Sequence, residues 1–569
     1  MYLPQMAAYA MTGNSFITKL VRSLVAKNML NNMGASELKT FTGSLKTGRM
    51  KWPFYRPEKE KESSSQRPSQ GEDLSAAPTR PYRSIEDIYR AYMERRERPM
   101  DVVEDVLKRA KALNEDFHFM VQFQDEEPLF RAATLSAQRY AQGKPLSKLD
   151  GIPFIVKDEM SVAGFQELVG TNPKDKKNPR IGKLATRNDP VIQALIDAGA
   201  ILFGTSVMHE YGISPVGFNV WAQGPLNAYD PTRYTGGSSS GPATGVALGL
   251  FPFAIGFDGG GSIRDPSSWS GVVGTVATFG AVRYENAETE IFTTLHCGPI
   301  TTNVADAAIV LDVMANTKNK GHHFYDKVYK DMFGIRMPSI NFGPLYAQES
   351  RFTIGYHTAW SEDCAPEVKA MFYEVRDYIK SHQGWRIEPN FEMSHWNDQA
   401  ISHTLTIGRE FWQAHQNDVI DILEPNTKMS LDLGRELDDS ITEATEKMKK
   451  WASEQWMKQF EKMDAVITPA MAIPAQTIQS GVKEYGLFNF TLVSIMSKYI
   501  WPSNLMGFPS VTVTIKTDPL PIGIQVICPP FKDGQCLAIA KEIEDHFAHQ
   551  RKRPEVVVLE EAQTTTNKK

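Results

Sequence analysis

Residues 234–280 read YTGGSSSGPATGVALGLFPFAIGFDGGGSIRDPSSWSGVVGTVATFG and hold two glycine-framed serine loops, one around Ser238 and one around Ser262. Between them the apolar run 253–257 suits a short buried strand that delivers the chain into Asp258-Gly259-Gly260-Gly261-Ser262. Three successive residues without Cβ can turn consecutive backbone N–H groups toward one point, the arrangement that binds an oxyanion. Ser262 stands at the end of that nest. Three residues on, Asp265-Pro266 reads as a helix N-cap followed by proline at the first helical position. Upstream, 242–250 carries Ala243, Gly245, Ala247 and Gly249, small residues that let a helix lie close against its neighbours.

Two other uses of such loops fit poorly. No G-x-x-x-x-G-K-[ST] occurs, and the G-x-G-x-x-G frame fails at Arg264, so a nucleotide phosphate lacks its usual cradle. Gly237-Ser238-Ser239-Ser240-Gly241 satisfies G-x-S-x-G with Ser239 as nucleophile. Such an elbow follows a buried strand, however, and 227–234 (NAYDPTRY) is a polar loop interrupted by proline. A serine nucleophile also needs a proton acceptor. Among the 12 histidines, which include His209, His296 and the His322-His323 pair, none sits in a hydrolase-like context. A lysine does: 150–158 (DGIPFIVKD) is a turn, a short apolar strand and Lys157 where the strand ends.

These pieces resemble the core of the amidase signature family, which hydrolyses amides with a Ser-cisSer-Lys triad. The resemblance rests on Gly151-x-Pro153-x-x-x-Lys157-Asp158, on Gly236-Gly237-Ser238-Ser239-Ser240-Gly241, and on Gly256-x-Asp258-Gly259-Gly260-Gly261-Ser262-Ile263-Arg264-x-Pro266. It continues through Thr205-Ser206-Val207-Met208-His209-Glu210, Cys297-Gly298-Pro299, 464–469 (DAVITP), Asn504-Leu505-Met506-Gly507-Phe508-Pro509 and 520–525 (LPIGIQ), and so covers 83–548. It implies Lys157 as base, Ser238 on a cis peptide as proton relay and Ser262 as nucleophile, with oxyanion donors from Gly259, Gly260, Gly261 and Ser262. It further implies supporting roles for Ser239, Asp258 and Arg264, an Asp258 to Arg264 ion pair pinning both flanks of the nest, and no metal or organic cofactor. A lysine acts as a base only when neutral, and burial disfavours its charged form, so such a Lys157 belongs in the interior. The chain departs from the family pattern at Asp265, where Ile or Phe is usual, at 274–278 (GTVAT) and at Pro242. None of these removes a triad member; they bear on the shape of the acyl pocket.

At 569 residues, 41% of them hydrophobic and 23% charged, the chain can build one large core with extensions. Its net charge of -5 offers no basic surface for nucleic acid. The cysteines Cys297, Cys364, Cys528 and Cys536 lack metal-ligand spacing and are too few for a disulfide framework, which suits a reducing compartment. No apolar run is long enough for a transmembrane helix.

Local patterning predicts a helix over 191–198, stopped by Gly199, a strand over 201–204, and strands 510–515 and 522–527 around the turn Lys516-Thr517-Asp518-Pro519. This alternation predicts an α/β fold, and with the resemblance the amidase signature fold: a central mixed β-sheet covered by helices on both faces, with an N-terminal helical extension. The polar stretch 431–463, with Trp451 and Trp456, reads as a long helix covering the surface.

Four regions follow: an N-terminal helical extension at 1–57, a polar disordered linker at 58–82, the catalytic domain at 83–555 and a polar tail at 556–569. In the extension Phe16, Ile17, Leu20, Val21, Leu24 and Val25 recur with helical period after Asn14 or Ser15, giving an amphipathic helix that meets a membrane surface, the protein's own core or a second subunit. With seven Lys/Arg and only Glu37 as an acid within 1–51, a transit peptide is also compatible with its composition. Met11-Thr12-Gly13-Asn14-Ser15-Phe16, 53–58 (PFYRPE) and 229–235 (YDPTRYT) resemble the plant-type fatty acid amide hydrolase branch. That branch implies fatty amides, N-acylethanolamines among them, cleaved to fatty acid and amine. A homodimer paired through the N-terminal helices, and a peripheral position at an endoplasmic reticulum or other endomembrane surface or in the cytoplasm, are further expectations. The alternatives are a small-amide or glutamine amidase of the same family, and a catalytically silent lipid-binding scaffold.

Overall fold

The structure, a computed structural model, describes residues 82–285, 293–315 and 351–556, apart from 390, 419 and 488. The expected N-terminal extension at 1–57 and nearly all of the linker and tail lie outside the described residues. Tyr82, assigned from sequence to the linker, belongs to the folded body: it is buried, and its hydroxyl lies 2.9 Å from that of Tyr229.

Among the described residues eleven strands form one sheet: β1 (Met120–Phe123), β2 (Pro153–Lys157), β3 (Ile201–Ser206), β4 (Phe253–Asp258), β5 (Val273–Val276), β6 (His296–Thr301), β7 (Thr353–Tyr356), β8 (Arg386–Pro389), β9 (Ala465–Pro469), β10 (Ser510–Lys516) and β11 (Ile522–Ile527). Their order is β1-β3-β2-β4-β6-β5-β10-β11-β9-β7-β8, and helices flank the sheet. Pairing is mixed. Strand β2 runs parallel to β3 and β4, and β7 runs parallel to β8 and β9, while the other pairs are antiparallel. Every residue of β2, β3, β4, β6, β9 and β11 is buried, which is why β2, β4, β9 and β11 read as largely apolar runs and not as alternating ones.

The site is placed by β2 and β4. They are parallel neighbours with Phe154 opposite Phe253, the two rings stacked at 5.1 Å, so both strands release their loops at the same edge of the sheet. Crevices outside the carboxyl ends of parallel strands are where α/β proteins assemble functional groups. The helix Ser240–Ala247 packs against this edge. At Gly245 an added Cβ would lie 2.8 Å from Ile155 Cδ1 and 3.2 Å from the Phe251 ring, so this small residue does permit close approach.

Several boundaries shift. The first helix after the Lys157 loop is Pro190–Asp197, capped where Asp189 accepts from Val191 N–H at 2.8 Å, and β3 extends to Ser206. The stretch 431–463 is not one helix. It contributes to Pro425–Arg435 and Asp439–Phe460, with Asp438 capping the second through Ile441 N–H at 3.1 Å. Nor is it only a surface cover. Trp456 is buried, stands edge-on to Trp360 and Trp501, and donates its indole N–H to Gln399 Oε1 at 3.1 Å.

Candidate active site

Lys157 ends β2 with its side chain inside the protein, and its Nζ donates to Ser238 Oγ at 2.9 Å. A partner that sequence reading missed faces the same nitrogen: Glu159 Oε1 lies 2.6 Å from Nζ, and the two side chains are 2% and 7% exposed. Two residues past a strand end, nothing in the local pattern tells which way a glutamate side chain turns.

Ser238 follows a cis peptide bond at Gly237–Ser238, and its carbonyl accepts the His209 N–H at 3.3 Å. Ser239 ties the two loops together. Its N–H donates to the Ser262 carbonyl at 3.1 Å and its hydroxyl to the Phe257 carbonyl at 3.1 Å, so it is engaged in structure and is no free nucleophile. Ser262 is 9% exposed against 1% for Ser238 and Lys157, which makes it the most accessible of the three. Among the described residues no hydrogen bond joins the Ser238 and Ser262 hydroxyls directly.

Asp258, at the end of β4, organises the glycine nest. Its carboxylate accepts the N–H groups of Gly261 (2.8 Å), Ile263 (3.0 Å) and Arg264 (3.2 Å) and pairs with the Arg264 guanidinium at 2.9 and 3.0 Å. The helix there is Arg264–Trp269, so Asp258, acting from the strand, satisfies its first donors. The Asp265 cap expected from sequence is therefore wrong: Asp265 lies in the first turn, and its own N–H donates to the Gly261 carbonyl at 2.7 Å. Gly261, expected among the oxyanion donors, is corrected as well. At φ +96° it turns its N–H onto the Asp258 carboxylate, while the N–H groups of Gly259, Gly260 and Ser262 have no acceptor among the described residues.

Arg264 is fully buried and also donates to Gln525 Oε1 (2.5 Å), Asn504 Oδ1 (2.5 Å) and the Ile500 carbonyl (3.0 Å), while Asn504 Nδ2 returns to the Asp258 carbonyl at 2.8 Å. The distant motif pieces around 504–509 and 520–525 thus converge on one guanidinium. Burial works to raise the Asp258 carboxyl, but the Arg264 charge and the hydrogen bonds from Arg264, Asn504 and Ile263 overcome it and hold Asp258 well below the usual carboxylate range. Asp265 is the opposite case. Burial, and then the neighbouring Asp258 charge, push it well above that range, and neither of its oxygens has a hydrogen-bond partner.

The histidines near the site are neutral. Burial brings His209, His296 and His403 down to about 4, and the first two are occupied: His209 Nε2 accepts from Asn426 Nδ2 at 2.9 Å, and His296 Nδ1 lies 2.9 Å from the Ala277 carbonyl. His403, which no local motif marks, enters from the helix Trp396–His415 and lies with Nε2 2.8 Å from the Gly259 carbonyl. Among the described residues no group of three or more His, Cys, Asp or Glu side chains is arranged to hold a metal ion, the four cysteines are buried and free, and no helix is long and apolar enough to cross a membrane.

The amidase family model matches residues 101–537. A fatty acid amide hydrolase of Medicago truncatula is 27% identical over 484 residues, 83% of this chain and 78% of that protein. A glutamyl-tRNA(Gln) amidotransferase subunit of Methanosarcina mazei is 27% identical over 74% of this chain and 91% of that one. The crystal structure of a bacterial aryl acylamidase of the amidase signature family superposes with a TM-score of 0.70 over 83% of this chain and 99% of that chain, at 19% identity, a likeness of fold.

Proposed function

The chain belongs to the amidase family, a family of hydrolases acting on amides, and on that premise we propose that it is a serine amidase whose acyl-enzyme forms on Ser262. One observation carries the reading: Lys157 Nζ contacts Ser238 Oγ at 2.9 Å, on a loop tied to the Ser262 carbonyl through the Ser239 N–H, so three separate segments meet beside one glycine nest. In the cycle, with Lys157 in its neutral form, Ser262 Oγ attacks the amide carbon while its proton passes through Ser238 to Lys157. The N–H groups of Gly259, Gly260 and Ser262 take the oxyanion. Collapse of the tetrahedral species breaks the C–N bond, and the same relay returns the proton to the departing amine. Water then attacks the ester, giving the carboxylic acid and free Ser262.

Fatty amides, N-acylethanolamines among them, are the proposed substrates, supported by the extent of similarity to the Medicago fatty acid amide hydrolase. The equal identity of the Methanosarcina amidotransferase protein keeps glutamine and small amides as the second reading. Incubating the protein with N-acylethanolamines of graded acyl length and with glutamine separates them, with Ser262→Ala alongside. Ethanolamine release that grows with acyl length and vanishes in Ser262→Ala supports the proposal. Glutaminase activity alone favours the second reading, and no hydrolysis of any amide favours a silent scaffold. The proposal extends to peripheral membrane contact and pairing of two copies through residues 1–57. Flotation with phospholipid vesicles and light scattering of the full chain against one lacking 1–57 test both, and an unchanged result in both rejects them.

A further inference from the structure

Every peptide of the glycine nest is held by one hydrogen bond. Asn504 Nδ2 donates to the Asp258 carbonyl at 2.8 Å, and Asp265 N–H donates to the Gly261 carbonyl at 2.7 Å. The peptide between Gly260 and Gly261 is held from its other side, by Gly261 N–H on Asp258 Oδ1 at 2.8 Å. The remaining peptide, between Gly259 and Gly260, has its carbonyl on His403 Nε2 at 2.8 Å. A backbone carbonyl only accepts, so Nε2 carries the proton and His403 is the donor.

A planar trans peptide points its C=O and its N–H in opposite directions. Anchoring the Gly259 carbonyl to the helix Trp396–His415 therefore aims the Gly260 N–H away from that helix. With glycine on both sides of the bond, little else restrains the peptide from turning over. We infer that His403 is a positioning residue for the oxyanion nest: by donating to the Gly259 carbonyl it orients and polarises the Gly260 N–H for the tetrahedral oxyanion. This rests on the serine amidase reading above.

The surroundings suit the role. His403 is 5% exposed, and its ring lies against Gly260, where an added Cβ would sit 3.1 Å from Cε1. One helical turn on, Ile407 packs over Gly259, where an added Cβ would meet its Cδ1 at 3.0 Å. Burial lowers the ring to about 4 against the hydrogen bond to Gly259; the charges of Arg264 and Lys449 lower it further and that of Asp258 opposes them. The imidazole thus stays neutral, with one donor, across the working range of an amidase.

The test uses the full-length protein with the p-nitroanilide of decanoic acid as chromogenic amide, and a decyl trifluoromethyl ketone that adds to a serine as a tetrahedral oxyanion. His403→Leu is expected to lower kcat by about 10- to 100-fold, somewhat less than deletion of an oxyanion donor, with KM changed by no more than about twofold. The ketone should bind more weakly by a similar factor. His403→Gln, whose amide N–H reaches the position of Nε2, should recover most of both losses, whereas His403→Asn, whose amide stops short, should not. If His403→Leu fails to fold, the Gln and Asn pair carries the comparison, with thermal melting as the check that both are native. Wild-type kcat in His403→Leu or His403→Asn, or lost kcat with undiminished ketone binding, overturns the inference. Ser262→Ala in the same assay separates the two levels: activity surviving there rejects the serine amidase reading, whereas an inactive Ser262→Ala beside a fully active His403→Leu rejects only the role of His403.

Discussion

Lys157 and Glu159 form an ion pair of 2.6 Å with both side chains inside the protein. The sequence reading lets burial alone act on this lysine. The structure also sets the Glu159 carboxylate against it, so the apolar surroundings are not its only neighbours. The pair also adjoins Ser238: a Cβ built on Gly212 would lie 3.2 Å from Ser238 Oγ and 3.9 Å from Glu159 Oε2.

Breaking a buried pair from one side strands the other charge, at a cost of about 3–5 kcal/mol, whereas removing both partners is far milder. Glu159→Gln should therefore destabilise the protein strongly, and Glu159→Gln with Lys157→Met should be more stable than Glu159→Gln alone. Urea unfolding of the four forms gives the coupling energy, expected to exceed about 1 kcal/mol. Simple additivity of the two changes would mean that the side chains do not interact.

The three glycines before Ser262 are not equivalent. Gly261 has φ +96°, and a Cβ there would press on the Asp265 carboxyl, so Gly261→Ala should lose roughly 1–3 kcal/mol from backbone strain alone and more from the clash. Gly260 has no such φ, and a Cβ there would meet the edge of His403 at 3.1 Å and Ile407 Cδ1 at 3.9 Å. Gly260→Ala should melt close to wild type while hydrolysing more slowly. Equal melting temperatures for the two variants would contradict this ranking.

Arg264 has no tolerable substitute of the same charge, because its planar fork serves Asp258, Gln525, Asn504 and the Ile500 carbonyl together. Arg264→Lys should lose most of the protein's hydrolytic activity and about 3 kcal/mol or more of stability. Near-native denaturant midpoints for Arg264→Lys would show that the charge suffices without the fork.

Glu410 supplies a pH test. It is 8% exposed, and burial pushes its carboxyl up to about 7, against the Lys449 charge and the hydrogen bonds from Thr293. Between about 4.5 and 7 the folded protein holds a proton that the unfolded chain has released, so this contribution is full below about 4.5 and is lost as pH rises through 7. Glu410→Gln has no such dependence. Its melting temperature relative to wild type should rise from pH 5 to pH 8, by a stability difference on the order of 3 kcal/mol. An offset that stays constant over that interval would refute it.

Much of the fold was legible because it is local. The apolar runs ending at Lys157 and Asp258 mark buried parallel strands, and the small residues of 242–250 mark a helix that must lie close. Trp456 was misread because a polar helix of mostly exposed residues hides one buried face, and which face is buried depends on partners far away in the chain. The Asp265 cap failed for a related reason. Asp and Pro in that order favour a helix start locally, but a buried carboxylate on the preceding strand already meets those donors.

Residue types and their spacing along the chain were enough to mark the two serine loops and the lysine at a strand end, because each depends on what a short segment can do with its own backbone; the Asp258 and Arg264 pair was implied by the family resemblance. Only the tertiary structure decides which N–H of the nest is spent on Asp258, that Glu159 turns back onto Lys157, and that His403 arrives over Gly259 from a helix more than a hundred residues away. Those are matters of direction: a peptide plane or a carboxylate takes its orientation from whatever partner the packed chain sets within about 3 Å, and no local pattern records that partner.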